Sequence, residues 1–255
     1  MRRCAASESE KPRATRCGRS WGKKEKRCDR SKRADDGKGS QWDHDVLDAE
    51  TKLLVSLHVG PRTEKRAREL WEDFVVRTDG VLPELITTDE YTPYRGAILN
   101  AYGTRVEYPR TGRQGRPRHP RLEPPAGLVY AMVHKTREKG AVVDVSIRQV
   151  FGTQEQLDRA LERSTVSSHV NTTFVERFNA TTRQHNSRKA RKVYAFSKEF
   201  EYHEAMSWFA AAYYNFCRPH LGLREKEDSR WSRRTPAMAS GISDQVWSLD
   251  AFMGY

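Results

Sequence analysis

The first stretch with a readable alternation of apolar and polar residues begins at Gln41, where QWDHDVLD is followed closely by TKLLVSLHVG. Aromatic and β-branched side chains fall on alternate positions, which predicts two strands about a tight turn at Asp48-Ala49-Glu50, the second closed by Gly60-Pro61. Asp43 and Asp45 lie within the first strand. Asp45 interrupts its apolar positions and reads as a residue carried on a solvated face. The period then changes. Ala67, Leu70, Trp71 and Phe74 recur at helical spacing behind Thr63, predicting a helix capped by that threonine and running to about Arg77. Leu85-Ile86-Thr87-Thr88-Asp89 reads as a short strand with Asp89 at its carboxyl end, and Pro93 to Tyr102 as a helix closed by Gly103. Strand, strand, helix, strand, helix is an α/β order, and in such sheets sites form at the carboxyl ends of strands.

Further on, Leu128–His134 and Ala141–Phe151 read as another hairpin, and Thr153 opens a polar helix through Glu162. A long helix is expected from about Val170 to Lys192. A last one runs from Glu199 to Phe216, its stripe of Phe200, His203, Met206, Trp208, Phe209, Ala212, Tyr213 and Phe216 read as core and its end set by Arg218-Pro219. Two stretches lack any period. Residues 1–40 carry fourteen Lys and Arg against six Asp and Glu, with Trp21 their only large apolar residue after Met1, and read as a basic disordered segment ahead of one domain at 41–255. Residues 109–125, PRTGRQGRPRHPRLEPP, form a Pro/Gly loop. It is either a solvated linker or a loop that touches phosphates through Arg113, Arg116 and Arg118.

Composition narrows the class of partner. The 255 residues carry a formal charge of +12, with a pI near 9.7. A polyanion is therefore the natural partner, although basic structural proteins share that balance. The four cysteines (Cys4, Cys17, Cys28 and Cys217) form no C-x-x-C pair and have no histidine at zinc-finger spacing, so they read as reduced thiols. No apolar run reaches membrane-spanning length, and MRRCAASESEKPR has no apolar signal core, which together point to a cytoplasmic protein.

The candidate chemistry lies in VERFNATTRQHNSRKARK, residues 175–192, which holds one acid, Glu176, among six bases: Arg177, Arg183, Arg188, Lys189, Arg191 and Lys192. On a helix Glu176 shares a face with Asn179, Arg183 and Ser187. A lone glutamate there is either a surface charge partner or a ligand in an anion-binding track. Metal-dependent phosphodiester chemistry needs two or three carboxylates holding divalent ions about 3.5–4 Å apart, with surrounding bases neutralising the nucleic-acid backbone. Asp89 at a strand end and Glu176 on a basic helix fit that description. Asp89 alone also fits an ordinary turn aspartate.

These segments resemble DDE-type transposases of small bacterial insertion sequences (the IS-one type). The resemblance rests on VERFNATTRQHNSRKARK with FSK after it, then YNFCRPHLGLR and RTPAMASGISDQVWSLD, together with ITTDEYTPYRGAI and LDAETKLLVSLHVGPRT, and it covers about residues 40–250. It implies an RNase H-like mixed sheet with a basic helical C-terminal part, two Mg²⁺ ions with Mn²⁺ as substitute, and homo-oligomeric cut-and-join chemistry on DNA ends. By that resemblance Asp89 is the second acid and Glu176 the third. The family's first acid stands on the first strand, in an Asp-Glu-x-Trp segment running into Gly-Lys-Lys. Here Gly22-Lys23-Lys24 is present, but Thr15–Trp21 ahead of it contains no acid, so residues 1–21 read as another frame or a mis-started chain. Asp48, at the tip of the first hairpin, is the nearest substitute, and a turn aspartate is the other reading of it. A remnant that binds DNA without cutting it is the alternative function.

Overall fold

The computed structural model describes residues 3–8, 19–21, 29, 31, 39–108, 119–139, 141–189, 199–227 and 229–254. Seven strands form one mixed sheet: β1 (Arg3–Glu8), β2 (Arg19–Trp21), β3 (Gly39–Asp48), β4 (Leu54–Gly60), β5 (Leu85–Asp89) and the long hairpin β8 (Tyr130–Glu138) and β9 (Ala141–Phe151). Between them come helices α1 (Glu64–Arg77) and α2 (Pro93–Tyr102), then the small pair β6 (Thr104–Val106) and β7 (Arg121–Glu123). After the sheet follow α3 (Gln154–Glu162), α4 (Thr173–His185) with a 3-10 turn at Ser187–Lys189, and α5 (Phe200–Phe216). The C-terminal part holds the ribbon β10 (Glu225–Glu227) and β11 (Arg230–Ser232), then the short helices α6 (Pro236–Ala239) and α7 (Leu249–Met253).

Across the sheet the order is β4, β3, β1, β5, β8, β9, with β2 paired antiparallel to the start of β3. β1 runs antiparallel to β3 and parallel to β5, which is parallel to β8. Successive residues of a strand point to opposite faces, and this alternation creates two cores. Ile86, Tyr130, Met132 and Val46 face α1 and α2, where Trp71, Phe74 and Tyr94 stack edge to face. Leu85, Val129, Ala131 and Val133 face α3. Leu47, Leu57 and Val59 face α4 and α5 through Val175, Phe178, Ala211 and Tyr214. The protein is thus α/β, with helices on both faces of the sheet.

Helix ends follow local chemistry. Thr63 caps α1 by accepting from the Arg66 N–H at 3.4 Å, and Arg77 occupies the last turn. Pro93 opens α2, and a side chain at Gly103 would collide with the Leu99 carbonyl. Thr153 and Gln156 form a capping box at α3.

Three expectations change. Within residues 1–40, Arg3–Glu8 and Arg19–Trp21 are strands: backbone pairing with β3 and β5 needs no side-chain pattern, so periodicity gave no sign of it. The long helix ends at His185 rather than near residue 192, because Asn186 adopts an extended conformation and its side-chain oxygen accepts from the Arg188 N–H at 3.0 Å. The aromatic stripe of α5 is only partly core. The buried residues are His203, Ser207, Ala210, Ala211 and Tyr214, while Trp208 is exposed.

Trp71, fully buried beside Phe74 and Tyr94, is the largest side chain of the α1–α2 core. Trp71→Ala should lower unfolding stability by about 3–5 kcal/mol, read as a shifted denaturant midpoint at unchanged slope.

Candidate functional site

Alternation along β5 sends Leu85, Thr87 and Asp89 to the face covered by α3 and α4. Asp89 closes the strand, half-buried, level with Val133 on β8. Two residues further along β8, Lys135 projects from the same face as Val133, and its ammonium group binds the Glu176 carboxylate and the Thr172 hydroxyl, the latter at 3.2 Å. Thr172 also donates its hydroxyl hydrogen to Glu176 Oε1 at 3.2 Å. Glu176 sits in the first turn of α4, where the helix dipole favours a carboxylate. The N-terminus of α4 is tied to β5 itself, because Thr87 Oγ1 donates to the Asn171 carbonyl at 3.3 Å and Asn171 Oδ1 accepts from the Thr173 N–H at 3.0 Å. The structure therefore brings the strand end bearing Asp89 and the helix turn bearing Glu176 to one side of the sheet. Lys135, which pattern reading passed over, joins them. Its signal was its place two residues after Val133 in an alternating strand.

Asp48 belongs elsewhere. Its register row, shared with Cys4 and Ile86, faces α1 and α2. Its carboxylate accepts from the Glu50 and Thr51 N–H groups at 3.4 and 3.3 Å and from the Thr51 hydroxyl at 2.5 Å. It holds the β3–β4 turn, on the opposite face from Asp89.

Asp43 and Asp45 replace it as the unexpected acids. They pair in register with Val59 and Leu57, both of the α4–α5 core, so both point into that layer. Asp45 is fully buried, not solvated, and neither of its carboxylate oxygens accepts a hydrogen bond among the described residues. Burial, reinforced by the neighbouring Asp43, pushes its pKa well above the usual carboxylate range, against the opposing pull of Lys189 and Arg183. Asp43 is bound by Lys189, both side chains almost wholly buried. Asp43, Gln41, Asn179, Thr182, Arg183 and Lys189 line a small cleft beneath the end of α4.

The basic track is correspondingly divided. Arg177 is exposed, and Arg183 and Arg188 are half-buried. Lys189 is buried against Asp43 and serves the fold, because a lysine in that position has little surface to offer a phosphate backbone. Arg191 and Lys192, expected on the helix, and Arg113, Arg116 and Arg118, expected on the loop, lie outside the described residues.

Among the described residues no group of three or more His, Cys, Asp or Glu is gathered into a metal-ligand cluster, and no helix is long and apolar enough to cross a membrane. Comparison with family models, with curated proteins and with solved structures finds no match to this chain.

Raising the folded-state pKa of an acid makes the native protein bind its proton more tightly than the unfolded chain does. Stability from this group is therefore lost as pH rises from the unfolded value of 3.8 through the folded pKa. Asp45→Asn should match the parent near pH 3 and become progressively more stable than it as pH rises above 3.8, read as a widening gap between their urea midpoints across that range.

Proposed function

We propose that this chain is a DNA-strand-processing domain of the DDE transposase type, with an RNase H-like sheet and an acidic site built on Asp89 and Glu176. The observation that carries the reading is that an aspartate at the carboxyl end of a parallel strand and a glutamate in the first turn of α4 lie on one side of the sheet, the glutamate held by Lys135 of the strand beside Asp89. The strand order supports it as well: an antiparallel set of three is followed by a parallel strand that ends in the acid. Charge supports the substrate class, since a net +12 attracts a polyanion of any sequence.

Asp89 and Glu176 are hard-oxygen ligands of the kind that would hold the two expected Mg²⁺ or Mn²⁺ ions, because Mg²⁺ accepts one or two carboxylates and keeps several waters. When bound, the ion would lower the pKa of its water and polarise the phosphodiester. The chain's own residues do the rest. Lys135 neutralises Glu176 before any ligand arrives, Thr172 fixes the carboxylate's orientation, and Arg177 and Arg188 offer cations to the backbone phosphates.

A second reading, DNA binding without efficient cutting, is favoured by one register position. The slot between β3 and β5, where the resemblance expects the first acid, is filled by Arg3–Glu8. There Ser7 pairs with Asp45, one step beyond the Ala6–Thr88 pair and so level with Asp89. The position beside Asp89 is a serine.

Nicking of supercoiled plasmid separates the two readings. With Mn²⁺ the parent chain is expected to nick slowly, Ser7→Asp to accelerate nicking about tenfold or more, and Asp89→Asn to abolish it in either background. No nicking by any variant in either metal would sink the catalytic reading and leave the binding one. For binding itself, log affinity for duplex DNA should fall linearly with log salt. Arg177→Ala and Arg188→Ala should each reduce that slope by about one, whereas Lys189→Ala should lower thermal stability and leave the slope in place.

A further inference from the structure

The two edges of the sheet are treated differently. At the β4 edge the backbone of Leu54 is capped by a side chain: its N–H donates to Asn215 Oδ1 at 3.0 Å and its carbonyl accepts from Asn215 Nδ2 at 2.9 Å. At the other edge β9 has no further strand beside it among the described residues. Ala141–Phe151 holds no proline and no lysine, the residues that usually blunt an edge, and it exposes Val142, Val143, Val145 and Ile147 at 45–54%. An open, β-branched strand of this length is a template for pairing with another strand.

The sequence of the edge specifies which strand. Pairing with β8 is regular from Asp144 to Gln149 and interrupted on either side, where Val143 and Val150 have no partner in the register. Within that regular run the pattern Asp-Val-Ser-Ile-Arg is complementary to itself read backwards. With Ser146 opposite Ser146 of a second copy, Asp144 faces Arg148 of that copy and Arg148 faces its Asp144. On the other face of the strand Val145 meets Ile147, again twice. A two-fold axis normal to the sheet keeps each residue on its own face, so only registers that shift by whole residue pairs are possible. Moving the axis to Val145 or Ile147 loses both charge pairs. Asp144 and Arg148 are exposed and have no ion-pair partner among the described residues, so both are available.

We infer that β9 is a self-association edge: two copies of this chain pair antiparallel through Asp144–Arg148 with Ser146 at the two-fold axis, extending the sheet from one protomer into the next. The inference is independent of the DNA-processing reading, because it uses no residue of the acidic site and no nucleic acid.

Sedimentation equilibrium of the full chain without DNA, at micromolar concentration, provides the test. The parent is expected to be a dimer, and the amides of Asp144–Arg148 should become more protected from hydrogen exchange as concentration rises. Asp144→Arg or Arg148→Asp alone sets like charges opposite each other at two places and should weaken the dimer on the order of tenfold or more. The double exchange, Asp144→Arg with Arg148→Asp, restores both pairs and should recover the parent's association. Both positions are exposed on the sheet edge, and far-UV circular dichroism confirms that each variant is folded. A monomer at every concentration overturns the inference. So does a dimer unaffected by the single reversals and showing no concentration-dependent protection of β9, because that dimer uses another surface.

Discussion

The arrangement of this protein depends on how α4 is held across the sheet. Its N-terminal turn is fixed by Glu176 against Lys135 of β8, and the 3-10 turn after it by Lys189 against Asp43 of β3. Those strands stand on either side of β1 and β5, so the two ion pairs set the helix over the middle of the sheet. Between the anchors, Val175 and Phe178 are buried against Leu47, Leu57 and Val59 and lock the rotational phase of the helix. Glu176, adjacent to Val175, then has no freedom to turn away from the strand ends. The Lys189–Asp43 pair adds little net stability over an apolar pair of the same shape, because both charges must be desolvated. Losing one partner leaves the other buried and unpaired, which is far more costly. Its contribution is to fix the helix in one place.

The two faces of the sheet divide the labour. The α1–α2 side is an apolar core of Trp71, Phe74, Tyr94 and Tyr130, with His44 as a neutral member: burial lowers its pKa to about 4. The α4–α5 side carries polar groups within its packed layer, among them Gln41, Asp43, Asp45, Asn179, Thr182 and Ser207. A layer of that kind is less stable per unit area than an apolar one and needs its partners in place. The apolar face supplies the rigidity, and the polar face holds the buried acids and the Lys135–Glu176 pair.

Much of this was legible in the sequence wherever a local signal acts alone. Thr63 and Arg77 bound α1, Pro93 and Gly103 bound α2, and Leu85–Asp89 is the strand the pattern predicts, because caps, proline and alternation act within a few residues. Asp89 and Glu176 were legible as types in place. What was hidden depends on contacts distant in sequence. Asp45 looked solvent-facing because an aspartate in an alternating strand usually marks the wet side; here that side is covered by a helix more than a hundred residues away. Lys135 lay just past the strand expected to end at His134, and its role depends on α4 bringing Glu176 to it. The strand at Arg3–Glu8 had no pattern to read, since its place is held by backbone pairs to β3 and β5. The end of α4 at Asn186 depends on a side chain that bonds its own backbone, a choice a basic run conceals.

The same contacts bear on the proposed reading, in which a basic protein would present acids to a polyanion. A bare carboxylate at the surface would repel nucleic acid. Lys135 removes most of that repulsion at Glu176 while keeping the carboxylate oriented and about a third exposed. The lysine also competes for the oxygen that a cation would need. Because both side chains keep contact with solvent, screening weakens that competition, and the proposed divalent ion would meet less opposition there than at a buried pair. Asp43 is different, since its lysine is buried with it and no solvent path relaxes the pair. On one face of one sheet, then, two lysine–carboxylate pairs differ mainly in burial. Burial makes one a permanent strut and leaves the other free to exchange its partner.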